Sequence, residues 1–379
     1  MRARRVFFDI TELMNNPFRT GIQRIERELM RHWPGPAPLS PCYFDKQKKC
    51  FVVLPAEVSK VFMASAVEDV SVAEERARLQ PLTARVTLLD ESAQDDCLLN
   101  TELFFDEARA HAYVSLANAS RLRLYWLVMD FIPFLEPEQL PGAHIKDCMH
   151  FLRALRTIRK VGFISEKTRL DYSRRILRQA ASPAPVFPLG GDGLNLPLQS
   201  FEPEKRLFVA VGTIEPRKNV ASILEAFERL WRADSEAELI LVGRMLQSAQ
   251  KERQILERLA GERRLQSVGP VSDERLRRIM TGARATVFAS KSEGFGVPPY
   301  ESLAVGIPVI VTEDVASIQL IPPLGQIRLP RPDADSIAAA VAKLMDDESA
   351  RSLWREAANV RIPTWQDLAR QVSAWVQES

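Results

Sequence analysis

Cysteine and histidine are scarce, four of each in 379 residues. Cys42, Cys50, Cys97 and Cys148 show no C-x-x-C spacing, and only Cys148 has histidines nearby, His144 and His150. A zinc site is disfavoured and buried or idle thiols are expected. The histidines form no triad or ligand cluster, so core or surface roles are expected for each. Long apolar runs are also missing. The richest, LYWLVMDFIPFL, is cut by Asp130 and Pro133 and falls short of the ~18 residues that span a bilayer. The opening MRARRVFFDI reaches Asp9 after three apolar residues, too few for the apolar core of a signal peptide. A cytoplasmic protein is expected. Charge of one sign is absent too: the net value of +2 gives no nucleic-acid signal. Locally the balance differs, because residues 146–178 hold ten Lys or Arg against three acids. Such a stretch is either a solvated pair of helix faces or a surface for an anionic partner, such as the inner face of the cytoplasmic membrane.

What is present is the composition of a globular chain, 46% apolar and 26% charged, with length for two domains of ordinary size. Short apolar runs alternate with helical patterns: VFFDI then 20–33, VGFIS then 166–179, LFVAVG then 220–232, ELILVG then 249–260, TVFAS then 298–305, and PVIVT. Near-continuous apolar strands followed by amphipathic helices predict doubly wound α/β lobes with parallel sheets. The stretch 181–205, with five prolines, breaks the rhythm and reads as the hinge. The expected domains are 1–190 and 200–363, with the amphipathic segment 364–379 beyond them. Strand carboxyl ends, where such sheets bind ligands, would line one cleft.

Three strand-to-helix loops carry chemistry. After VFFDI, a capping box of Thr20 and Gln23 starts a helix at about Gly21, whose free N–H groups suit a diphosphate. After LFVAVG, the loop TIEPRKN puts Arg217 and Lys218 beside a helix amino end that Asn219 can cap. Cations there oppose the helix dipole, and a bound polyanion would remove the conflict. After TVFAS, the loop KSEGFG places Glu293 at the strand end. Pro298 starts the next helix, with Glu301 one turn inside it and Gly306 stopping it. Gly294 and Gly296 permit a backbone that turns N–H groups toward a ligand.

VGTIEPRKN, LVG at 241–243, VGPVSDERL and SEGFGVPPYESLAVGIPVIV resemble the ordered motifs of retaining glycosyltransferase family four, whose fold is GT-B. RTGIQRIEREL, DFIPFLEPEQL, ISEKTRLDYSRR and PLGGD extend the resemblance to bacterial members that assemble O-antigen and related polysaccharides. It implies that Arg217 and Lys218 bind the donor diphosphate, that the Gly21 backbone approaches it, and that Glu301 holds a ribose hydroxyl. Glu293 would lie beside the transferred sugar, and the backbone of Gly294, Phe295, Gly296 and Val297 would meet its hydroxyls. Gly212 and Thr213 would line the donor site, and base contacts would come from around Gly243, Arg244 and Val271. Many relatives have a His–Asp pair where this chain has Met129–Asp130, on the sugar or acceptor side; a thioether there suits a less polar donor edge, such as that of a deoxy sugar. In such relatives the terminal helix packs back onto the first lobe.

The D-A-D at 333–335 has a metal-binding form, but it directly precedes SIAAAVAKLM, and Asp335 reads as a helix cap. Metal-independent transfer with retention, from a nucleoside-diphosphate sugar to a glycan or polyprenyl-linked acceptor, is the implied activity. A GDP-sugar carrying mannose or a deoxyhexose is favoured by the resemblance, and no cofactor is expected. A sugar-nucleotide epimerase and a noncatalytic carbohydrate-binding protein are the alternatives.

Overall fold

The computed structural model describes residues 5–17, 21–35, 39–67, 71–89, 96–119, 122–137, 145–180 and 182–377. Its contacts divide the chain into two compact units, 1–189 with 365–379, and 190–364. The division falls between Leu189 and Gly190, inside the proline-rich stretch.

Unit 1 is built on β1 (Val6–Asp9), β2 (Leu39–Asp45), β3 (Cys50–Val53), β4 (Thr87–Leu88), β5 (Cys97–Asn100), β6 (Arg123–Val128) and β7 (Lys160–Phe163), in the order β4-β3-β2-β1-β5-β6-β7. From β2 to β7 through β1 the pairs are parallel, but β2–β3 and β3–β4 are antiparallel. That edge departs from the all-parallel expectation, and the cause is local. Asp45 accepts from the Gln47 and Lys48 amides, and Lys49 takes φ +53°, so the chain reverses in a turn too short for a crossover. The helix expected over 166–179 also differs, being α-helical over Glu166–Leu170 and a π-helical turn over Asp171–Ile176. Phe104, Tyr113, Trp126 and Phe151 meet at ring separations of 4.9–5.8 Å and fill the core on one face. On the other, the helix Trp365–Gln377 packs against the helix Gly21–His32, and Trp375 stands edge-on to Tyr125 at 5.0 Å.

Unit 2 is an all-parallel sheet of β8 (Leu207–Val211), β9 (Glu238–Val242), β10 (Leu265–Ser267), β11 (Ala283–Phe288), β12 (Val309–Thr312) and β13 (Gln326–Leu329). Its order is β10-β9-β8-β11-β12-β13. The helix Val220–Arg232 follows the expected stripe: Val220, Ile223, Leu224, Phe227 and Trp231 are buried, each such side chain contributing about 1.5–3 kcal/mol. The chain winds outward from β8 in one direction and from β11 in the other. This leaves a crevice at the carboxyl ends of those two strands, the place where open α/β sheets bind ligands.

Candidate functional site

Both loops at that crevice are the ones the sequence singled out. β8 leads through Gly212 into a 3-10 turn, Pro216–Lys218, and then the helix; β11 leads through residues 289–296 into the helix Val297–Ala304. The Lys291 amide donates to the Arg217 carbonyl at 2.9 Å, tying one loop to the other.

Their side chains form one charged cluster. Arg217 donates through Nη1 to the Ser292 carbonyl (2.8 Å) and Glu293 Oε2 (3.0 Å), and through Nη2 to Glu215 Oε1 (2.6 Å). Lys218 Nζ donates to Glu293 Oε1 at 2.5 Å, and Ser290 Oγ donates to the same oxygen at 2.6 Å. Burial pushes the Glu293 carboxyl up, but the Lys218 and Arg217 charges outweigh it and hold the group below the usual carboxylate range. Glu293 is therefore an anion at neutral pH. The dipole conflict expected of Arg217 and Lys218 is thus offset within the protein, by Glu215 and Glu293. Asn219 corrects another expectation. It precedes the helix at φ +58°, but its side chain bonds the Pro332 carbonyl and Ser222 Oγ and leaves the helix amides uncapped.

The second glutamate has a different environment. Glu301 is 5% exposed on the second turn of its helix and faces a small recess lined by Val211, Thr286, Phe288 and Pro298. Between the glutamates, Phe295 is buried edge-on against Tyr300 and leaves its backbone to the loop. Gly296 has φ +88°, and a methyl there would lie 2.5 Å from a Val315 methyl carbon. Val297 opens the helix. Ser317, which the sequence reading passed over, fixes this loop: its amide donates to the Phe295 carbonyl (2.9 Å) and its hydroxyl to that of Gly296 (2.7 Å).

Gly243 packs rather than opens. At φ +148° it lies so close to Gly212 that a methyl would fall 2.0 Å from the Gly212 carbonyl oxygen. Arg244 is exposed, its carbonyl accepting from the Ile214 amide, and Val271 packs against the core under β9. Thr213 is half-buried beside Lys218.

In unit 1, Gly21 is the first residue of its helix. Thr20 lies outside the described residues, and Gln23 donates to the Asn16 carbonyl. Met129 is buried at the end of β6, and Asp130 accepts from the Ile132 amide at 3.0 Å, closing a turn. At 333–335 the cap is Asp333, which accepts from the Ser336 amide, while Asp335 pairs with Arg229. Among the described residues no His, Cys, Asp and Glu group could hold a metal ion. All four cysteines are free.

Residues 198–361 match the family described as Glycosyl transferases group 1. They form a domain of that family. The group 1 domain contains every residue of the Arg217–Glu293 cluster. The O-antigen chain mannosyltransferase B of Escherichia coli is 32% identical over 152 residues, 40% of this chain and 39% of that protein. The serotype-specific mannosyltransferase WbdA of Escherichia coli is 25% identical over 346 residues, 82% of this chain and 39% of that protein. The chain spans about two fifths of the length of these relatives. The structure of HepE from Anabaena in complex with UDP and glucose superposes at a TM-score of 0.63 and 14% identity, covering 99% of this chain and 98% of that one. The fold is GT-B.

Proposed function

We propose that this chain is a retaining, metal-independent glycosyltransferase of bacterial surface-polysaccharide synthesis, moving mannose or a deoxyhexose from a nucleoside-diphosphate sugar, GDP-linked by preference, to a glycan or polyprenyl-linked acceptor. The observation that carries the reading is the convergence of Arg217 and Lys218 at the β8/β11 crevice within a group 1 domain. A sugar nucleotide leaves as a diphosphate, so the barrier falls when developing negative charge is stabilised. Arg217 offers a planar fork and Lys218 a point charge. Glu293 holds both in place, Glu301 is the proposed ribose ligand, and Gly21 is the proposed diphosphate contact of unit 1. Attack from the face that the diphosphate leaves lets a phosphate oxygen take the acceptor proton, and retention follows without an enzyme nucleophile. The mannosyl preference is supported by the named relatives.

Transfer from GDP-mannose to a polyprenyl-linked glycan is expected to persist in excess EDTA. Complete loss, restored by magnesium or manganese, would refute the metal-independent step. Donor conversion to a free altered sugar without acceptor would mean an epimerase, and donor binding without turnover would mean a carbohydrate-binding protein.

The membrane surface narrows from the sequence expectation. Lys167 and Arg175 pair with Asp171, and Arg169 with Glu166. Lys146 and Arg153 are exposed on the helix Ile145–Leu155, Arg156 and Arg159 in the turn after it and Lys160 at the start of β7; Met149 of that helix is 44% exposed. Among the described residues no helix is long and apolar enough to cross a membrane. We assign peripheral contact with anionic lipid to this face. Binding to phosphatidylglycerol vesicles should be lost when Arg153, Arg156 and Arg159 become glutamine, and should weaken with salt. Equal binding to neutral vesicles would return the stretch to a solvated face.

A further inference from the structure

The strand order of unit 1 also reverses at one place, between β1 and β5, where Asp9 pairs in register with Asn100. There the crevice is filled by a buried charged network. Arg109, fully buried on the helix Glu107–Ala119, donates to Asp9 Oδ2 (2.6 Å), Glu102 Oε2 (2.5 Å) and Glu12 Oε1 (3.3 Å). Tyr113 donates its hydroxyl to Asp9 Oδ2 at 2.5 Å, and Thr11 donates to Asp9 Oδ1. The other Glu102 oxygen accepts from the amides of Glu12 (2.7 Å) and Leu13 (3.0 Å), fixing the short helix Thr11–Asn15.

Glu26 completes the network and does not balance it. It is fully buried on the helix Gly21–His32, and among the described residues no N–H or O–H donor meets either carboxylate oxygen. Its hydrogen-bonding neighbour is the Glu102 carboxyl. Three fully buried acids, Asp9, Glu26 and Glu102, thus face one guanidinium. Two adjoining carboxylates without a proton between them would repel in a dry site, and an unpaired buried carboxylate takes up a proton instead.

We propose that Glu26 carries a proton in the folded chain at neutral pH and donates it to Glu102, making Glu26 and Glu102 the positioning pair for residues 10–17. Burial, then the Glu102 charge, push Glu26 well up; burial, partly offset by Arg109, pushes Glu102 up to about 7. The groups facing the pair are Asp9 from β1, Glu12 from the short helix, Arg109 and Tyr113 from the helix Glu107–Ala119, and Cys42 from β2; Lys46 and Asp106 flank Glu12. When rising pH draws the shared proton into solvent, the two carboxylates repel, and Glu102 loosens its hold on the Glu12 and Leu13 amides.

Both groups titrate higher in the folded chain than in the unfolded one, so their stabilisation is complete below the ordinary carboxylate value and is lost as pH rises, for Glu102 through about 7. Urea unfolding of the full chain at pH 6 and pH 8 reads this directly. The folding equilibrium constant should fall about tenfold more between these pH values in the wild type than in Glu26→Gln, whose amide can donate to Glu102 without a titrating proton. Hydrogen exchange should show protection of the Glu12 and Leu13 amides falling over the same range in the wild type and holding in the variant. Equal pH dependence in both proteins would overturn the proposal. Should Glu26→Gln fail to fold, infrared spectra of the wild type decide. The carbonyl stretch of a buried protonated carboxyl should be present at pH 6.5 and weaken as the pH is raised, and its absence at pH 6.5 is the opposing result.

Discussion

Arg217→Ala is expected to lower transfer by about 10²–10³-fold in kcat/KM, the cost of removing one donor aimed at developing charge in a site of this kind. The variant should still fold, because Glu293 keeps Lys218 at 2.5 Å and Ser290 at 2.6 Å. Arg217→Lys should recover only part of the loss. The guanidinium spans Glu215 on one side and Glu293 with the Ser292 carbonyl on the other, a spread that a single ammonium cannot reproduce. Steady-state rates at saturating acceptor, with circular dichroism to confirm folding, make the test. Rates for Arg217→Ala within threefold of wild type would remove Arg217 from the proposed chemistry.

The largest loss of stability is expected at Arg284, on β11, whose chain continues into the loop that carries Glu293. The side chain is fully buried and donates to the carbonyls of Leu344 (2.5 Å), Met345 (3.3 Å), Pro203 and Lys205 (3.2 Å each), and to Asp347 (2.7 Å). It thereby satisfies the carbonyls that end the helix Ala334–Met345 and anchors the segment entering β8. Arg284→Met would leave several buried acceptors without donors, at about 3–5 kcal/mol for the group as a whole. Urea unfolding followed by tryptophan fluorescence measures it, since Trp354 bonds the Arg284 carbonyl and reports on the same place. A loss below about 1 kcal/mol would mean that these carbonyls find other donors.

The two variants separate chemistry from architecture within one domain. Arg217 lies in a loop at the carboxyl end of β8 and bonds Glu215, Glu293 and the Ser292 carbonyl at the crevice. Arg284 lies at the opposite end of β11 and meets backbone carbonyls, Asp347 and the Phe201 ring. Loss of rate without loss of stability in the first, and of stability in the second, is the pattern that the packing dictates.

The sequence by itself determined the strands and helices of unit 2, because apolar runs of period-independent burial and helical stripes such as Val220–Trp231 are local patterns written in consecutive residues. It also singled out Arg217, Lys218, Glu293 and Glu301, from their place in or just after strand-end loops and from motifs that resemble the family. It did not determine who holds whom. That Glu293 binds Arg217 and Lys218 follows from β8 and β11 being neighbours, although 75 residues separate Lys218 from Glu293. Ser317 acquires its role only when β12 brings it under the glycine loop. That Gly243 must be glycine follows from the approach of the Gly212 backbone, which its own stretch of sequence does not show. The antiparallel edge of unit 1 depended on a turn at Asp45 that apolar periodicity does not register. Glu26 is the sharpest case: nothing in the sequence marks it, and only the tertiary structure buries it beside Glu102, where among the described residues no N–H or O–H donor reaches its carboxylate.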